Sequence, residues 1–198
     1  MDHAETASST EGPPLVVVLC TGNAARSVMA GAMLEAAGAD VRILTAGTHV
    51  IEHQPMSIRT RAALVGVGVE PPAHRSHQLT DDDVSAADLV VAMAAEHVHY
   101  VRRRHPEGAA RTATIRHLAD VLPAGADPLP ARVGALGLAT VTPEAQGDVE
   151  DPAGGDDEDY VRCARTLVAL VDGLAAALGA GGDEQGTPAR LDVEGVAG

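Results

Sequence analysis

The chain has 198 residues, 45% of them hydrophobic, the size of one globular domain of roughly 150 residues with tails. Its 14 basic residues are all arginine, which excludes Schiff-base, pyridoxal-phosphate and phosphate-loop chemistry built on lysine. A formal net charge of −14 and only two aromatic residues, Tyr100 and Tyr160, exclude a general nucleic-acid binder, which needs positive charge and stacking platforms.

Residues 1–14 and 179–198 are rich in small, polar and acidic residues and read as disordered tails around a single domain over 15–178. Leu15 to Leu19 is a near-continuous β-branched run, the pattern of a strand covered on both faces. A helix is predicted from Ser27 to Ala37, closed by Gly38, then a strand from Val41 to Thr45. The stretch from Pro55 to Val67 reads as a helix with proline in its first turn. Asp88 to Met93 is a third strand, and Ala95 to Arg104 a helix whose last turn sets Arg102, Arg103 and Arg104 against the negative end of the dipole. Ala113 to Leu118 reads as a weaker fourth strand. From Ala119 to Glu150 proline and glycine break every period, predicting a long loop with one helical turn near Leu136. The last helix spans about Asp157 to Leu178, with Val161, Ala164, Leu167, Val168, Val171, Leu174 and Leu178 on one face.

Strands alternating with helices imply an α/β fold, a parallel sheet flanked by helices that binds ligands at the carboxyl ends of its strands. The loop after the first strand reads Cys20 Thr21 Gly22 Asn23 Ala24 Ala25 Arg26 Ser27. A thiol there sits at a helix N-terminus, where free backbone N–H groups and the positive dipole end favour a thiolate and a bound oxyanion. Arg26 can hold two phosphate oxygens with its planar fork. The Ser27 hydroxyl can donate to the sulfur, Gly22 is expected to permit the turn, and Asn23 to brace it. A thiolate attacking phosphorus needs an acid for the leaving group. Asp151, stiffened by Pro152 just before the last helix, is the candidate, among the other acids Asp148, Glu150, Asp156, Asp157, Glu158 and Asp159.

On these residues the chain resembles the low-molecular-weight protein tyrosine phosphatases, whose fold and loop are shared with thioredoxin-coupled arsenate reductases. The resemblance runs from about Leu15 to Leu178. It rests on the Cys20 to Ser27 loop, Thr45 Ala46 Gly47 Thr48, His74 with Gln78 Leu79 Thr80, the strand Asp88 to Met93, and Asp151 Pro152. It implies a four-stranded parallel sheet, with Cys20 as nucleophile and Thr21 to Ser27 as the phosphate-binding loop. It further implies Arg26 on the phosphoryl group, Asp151 as general acid, and Asn23, Ser27 and His74 as supports of the loop. The partner implied is a phosphorylated protein or small phosphate ester. No metal or organic cofactor is expected, because loop amides and Arg26 supply the positive field.

Departures from the family bear on substrate. Ala25 stands where a second loop cysteine is usual, Val28 replaces the usual proline, and Ala94 replaces an acid. Ala153 and Gly154 replace the usual aromatics after Asp-Pro, and the 47–55 loop offers only His49, Val50, Ile51 and His53 as a wall. Leu129, Val133, Leu136 or Leu138 from the long loop could form a different one. Two other readings use the same residues: an arsenate reductase served by an external thiol, and an inactive phosphate-binding protein. The histidine pairs His49/His53, His74/His77 and His97/His99 lack a third clustered ligand and are expected to be structural. Two cysteines, Cys20 and Cys163, cannot frame a disulfide scaffold and fit a reducing interior. With no secretory apolar core and no run of roughly 20 apolar residues, the expectation is a cytoplasmic protein without a membrane partner.

Overall fold

The computed structural model describes residues 12–179, so the expected tails lie almost wholly outside the described residues. At the entry to the domain, the backbone N–H of Arg42 donates to Pro14 O at 2.7 Å, and its Nε to Pro13 O at 3.0 Å.

Four strands, β1 (Leu15–Cys20), β2 (Arg42–Gly47), β3 (Leu89–Ala92) and β4 (Thr112–Thr114), form one parallel sheet in the order β2-β1-β3-β4. The β1 run is buried on both faces by strict alternation. Val16, Val18 and Cys20 enter the larger apolar core, whereas Val17 and Leu19 enter the smaller one. Each such side chain contributes about 1.5–3 kcal/mol by leaving water. The connection leaving β1 runs to β2 on one side and that leaving its neighbour β3 runs to β4 on the other, so the two diverge and open a crevice at the carboxyl ends of β1 and β3.

The larger core is built with α1 (Arg26–Ala36), α2 (Ile58–Gly66) and, after the sheet, α5 (Ile115–Val121) and α7 (Asp157–Ala177). The smaller is covered by α3 (Asp81–Ala86) and α4 (Ala95–Arg104). Asp156 opens α7 with a capping box to Asp159. Ser57, not Pro55, opens α2, accepting from Thr60 N. The predicted helix therefore starts three residues late, because the hydroxyl cap satisfies a free N–H that proline merely lacks.

Three expectations are corrected. The fourth strand stops at Thr114, whose hydroxyl accepts from His117 N and starts α5, so Ile115 to Leu118 is helical despite its β-branched entry. The helix α3 was not expected; six residues carry no apolar period, but Thr80 and Asp83 make a reciprocal capping box. Finally, 119–150 is largely structured: it contains the end of α5, α6 (Leu129–Gly134) and short 3-10 turns at Leu138–Thr140 and Pro143–Gln146. Leu129, Val133 and Leu138 are buried in the larger core and Leu136 packs against it, so none forms a wall of the site. Arg132 pins this insertion, donating through Nη1 to Pro123 O at 2.8 Å and Ala177 O at 2.6 Å. Arg102 is also used internally, its Nη2 donating to Leu138 O and Val141 O at 2.8 Å each.

Candidate active site

Cys20 is the last residue of β1, 3% exposed, and the chain beyond it is locked to the end of β2. Thr48 N donates to Cys20 O and His49 N to Thr21 O, both at 2.9 Å. This close approach explains Gly47: a Cβ there would stand 2.6 Å from Thr21 O and 2.4 Å from Val50 Cγ1. Gly22, by contrast, has open space around it and no left-handed backbone. The turn expected of Gly22 is made by Asn23, at φ 48, a conformation asparagine tolerates through local hydrogen bonds.

Asn23 is fully buried, and all its side-chain and carbonyl polar groups are engaged. Its Nδ2 donates to Ser27 Oγ at 3.0 Å, its Oδ1 accepts from His77 N at 2.9 Å, and its backbone O accepts from His74 Nε2 at 2.7 Å. The support expected of His74 is thus on the loop's asparagine. Burial pushes the His74 pKa down, and because a carbonyl oxygen only accepts, Nε2 is the nitrogen that donates in this contact. Since an amide nitrogen only donates, Ser27 Oγ accepts from Asn23, and its own proton is free for Cys20 Sγ, 3.0 Å away. Helix α1 starts immediately, its N-cap Ala25 offering no side-chain bond. The amides of the first turn therefore stay available to an anion.

Arg26, 3% exposed, reaches across the crevice. Its Nη1 donates to Val149 O at 3.2 Å, and its Nη2 to Thr21 Oγ1 at 3.3 Å and Asp151 Oδ2 at 2.5 Å. Asp151 is brought there by two ties on the end of β3 and the start of α4: Val149 N donates to Met93 O, and Ala95 N to Asp148 Oδ1, each at 2.8 Å. Ala153 N returns to Asp151 Oδ1 at 3.1 Å over the buried Pro152. The loop from Cys20 to Ser27 and Asp151 thus meet at the Arg26 guanidinium, while His74 supports the loop from behind through Asn23 O.

His97 was not anticipated in this setting. It is 1% exposed, with Nε2 3.0 Å from Thr21 Oγ1, and its pKa is pushed down to about 3 by burial and then by the Arg26 charge. No sequence signal separates it from His99, the other histidine of α4. A neutral ring folded and a protonatable ring unfolded mean that the unfolded chain binds the extra proton below the ordinary 6.5. Stability from this group is therefore complete above that pH and falls as the pH drops from 6.5 toward about 3, by about 1.4 kcal/mol per unit. Urea unfolding of wild type and His97→Gln between pH 7 and 5 is expected to show a shallower loss in the variant.

Among the described residues one set of three ligand-type side chains lies together: Asp81, His105 and Glu107. None of the histidine pairs weighed above belongs to it. Its shortest contact is a hydrogen bond, His105 Nδ1 to Asp81 Oδ1 at 2.5 Å. No described helix is long and apolar enough to cross a membrane.

Residues 15–127 match the family model described as low molecular weight phosphotyrosine protein phosphatase. The chain belongs to this family. A protein-arginine-phosphatase of Geobacillus stearothermophilus is 31% identical over 167 residues, 84% of this chain and 97% of the relative. The solved YwlE arginine phosphatase from the same organism superposes with a TM-score of 0.68, over 84% of this chain and 93% of that one. The low molecular weight protein tyrosine phosphatase of T. tengcongensis is 31% identical with a TM-score of 0.64, over 81% and 97% of the two chains. The expected α/β architecture and the assignment as a cysteine-based phosphatase are therefore borne out, with Cys20 at the strand end that opens the family's phosphate loop.

Proposed function

We propose that this low molecular weight phosphatase hydrolyses phosphorylated protein side chains through a phosphocysteine on Cys20. The carrying observation is the placement of Cys20 Sγ beside Ser27 Oγ at an uncapped helix N-terminus, with Arg26 and Asp151 paired across the opening. The Cys20 thiolate attacks phosphorus and the bond to the leaving atom breaks. Asp151, in its protonated form, gives its proton to that atom. The Asp151 carboxylate then takes a proton from water as the water oxygen attacks phosphorus, releasing inorganic phosphate and the thiolate. Loop amides and Arg26 hold the equatorial oxygens throughout.

Among the described residues neither tyrosine offers a free face to a phosphotyrosine ring. Tyr100 is edge-on to His49 at 5.6 Å and bonded to Gln78, and Tyr160 is buried beneath Arg59. The exposed residues that flank Asp151 in the chain are instead small or acidic, Glu150, Ala153 and Gly154, and the 47–55 loop exposes Ile51. Carboxylates favour a substrate that keeps positive charge beside its phosphoryl group, and the relative matched over 97% of its length is named a protein-arginine-phosphatase. Phosphoarginine is accordingly the proposed side chain. Comparing kcat/KM on phosphoarginyl and phosphotyrosyl peptides of one sequence is expected to favour phosphoarginine by ~10-fold or more; a preference for phosphotyrosine would reverse the assignment.

The arsenate-reductase reading finds no resolving thiol within the chain and rests on an external one. Burial pushes the Cys163 thiol up to about 12, so it stays protonated near neutral pH and cannot resolve an adduct on Cys20. The joint presence of Cys20, Arg26 and Asp151 in one crevice argues against a binding-only role.

A further inference from the structure

The first turn of α2 holds both walls of the crevice. On one side, buried Thr60 donates from Oγ1 to Ala24 O in the phosphate loop at 2.7 Å. On the other, Arg59 donates from Nε to Asp157 Oδ1 and from Nη1 to Gly155 O, both at 2.8 Å. The Arg59 guanidinium also lies 5.9 Å over the ring of Tyr160. All three Arg59 partners belong to the segment that joins Asp151 to α7 and to the first turn of that helix.

Between Gly155 and Asp151 there is little slack. Gly155 N donates to Pro152 O at 3.0 Å, Ala153 N donates to Asp151 Oδ1 at 3.1 Å, and Pro152 is buried with its φ fixed by the ring. A shift of the Gly155 carbonyl is therefore passed to the Asp151 carboxyl. The Arg59–Asp157 ion pair is exposed and alone would do little. What directs the loop is the planar fork, which fixes a carbonyl and a carboxylate at once while its charge lies over an aromatic ring.

We propose that Arg59 is a positioning residue for the general acid, holding the Asp151 loop at the height where the proton reaches the leaving atom. This rests on the reading of Asp151 as that acid. Arg59 does not touch the phosphoryl group, so its removal affects substrates according to how much their leaving group needs a proton.

The test compares kcat/KM of wild type and Arg59→Ala on phenyl phosphate, whose leaving oxygen needs protonation, and on p-nitrophenyl phosphate, which leaves with little help. The variant is expected to lose about 10-fold on the first and less than about 2-fold on the second. Equal losses on both, or no loss, would overturn the proposal. Arg59→Lys is expected to fall between, because an ammonium cannot reproduce the fork. Hydrogen exchange reads the same clamp without turnover: the amides of Ala153 and Gly155 should exchange faster in Arg59→Ala, while those of β1 and α1 stay as in wild type. Unchanged exchange at the two loop amides would also overturn it. Asp151→Ala on the same two substrates separates the two ideas. If its loss does not depend on the leaving group, the general-acid reading fails by itself, and the exchange data still judge the clamp.

Discussion

Replacing Cys20 with serine is expected to reduce turnover of p-nitrophenyl phosphate by at least ~10⁴-fold, assayed at mildly acidic pH with chelator present. The hydroxyl is a far weaker nucleophile than a thiolate, yet it occupies the same place and can keep the contact to Ser27 Oγ, 3.0 Å from the sulfur in the native chain. The loop should stay folded, because its conformation depends on Asn23, His74 and the His77 backbone rather than on the sulfur. Inorganic phosphate should accordingly still raise the melting temperature of the variant. Residual activity above ~1% of wild type would place the chemistry on another group.

Asp151→Ala is expected to act in two directions. Turnover of phenyl phosphate should fall by ~10² to 10⁴, the range general acids supply. Affinity for inorganic phosphate should rise instead. The Asp151 carboxylate sits on Arg26 Nη2 at 2.5 Å, the same guanidinium that a phosphate oxygen must claim, and its removal frees that donor. Because the Asp151 side chain is 42% exposed, the pair is worth at most ~1 kcal/mol, which sets the gain at up to ~5-fold. Phosphate inhibition constants on both proteins measure this. Weaker phosphate binding in the variant would mean that Asp151 orients Arg26 rather than competing for it.

Much of this site was legible because each part obeys a local rule. The Leu15 to Leu19 run is apolar at every position since both faces of β1 are covered, and the helix that follows begins where the loop's anion-binding amides are needed. Asp151 was different: seven acids crowd residues 148–159, and nothing in their spacing ranks them. Pro152 and the place before the last helix made Asp151 the candidate, the resemblance raised it above its neighbours, and the structure places its carboxylate on Arg26. The Gly22 assignment failed because glycine is the usual residue for a left-handed turn, while here Asn23 takes it and is held by three hydrogen bonds. Residues 119–150 misled by composition. Their helix and turns are too short to show a period, yet Leu129, Val133 and Leu138 are core residues. Arg59 and His97 act through partners distant in the chain, 96 residues for the Gly155 carbonyl and 76 for Thr21, so no local pattern could reveal them.

The buried thiol of Cys163 bears on how the protein can be handled. The chain has two cysteines, and the one in α7 is held protonated well beyond neutral pH. Alkylating reagents under native conditions should therefore react at one thiol, Cys20, where the Ser27 hydroxyl and the uncapped start of α1 favour the thiolate. Stoichiometric labelling then becomes a titration of intact catalytic centres in a preparation, and incorporation of a second equivalent marks molecules whose last helix has come away from the core.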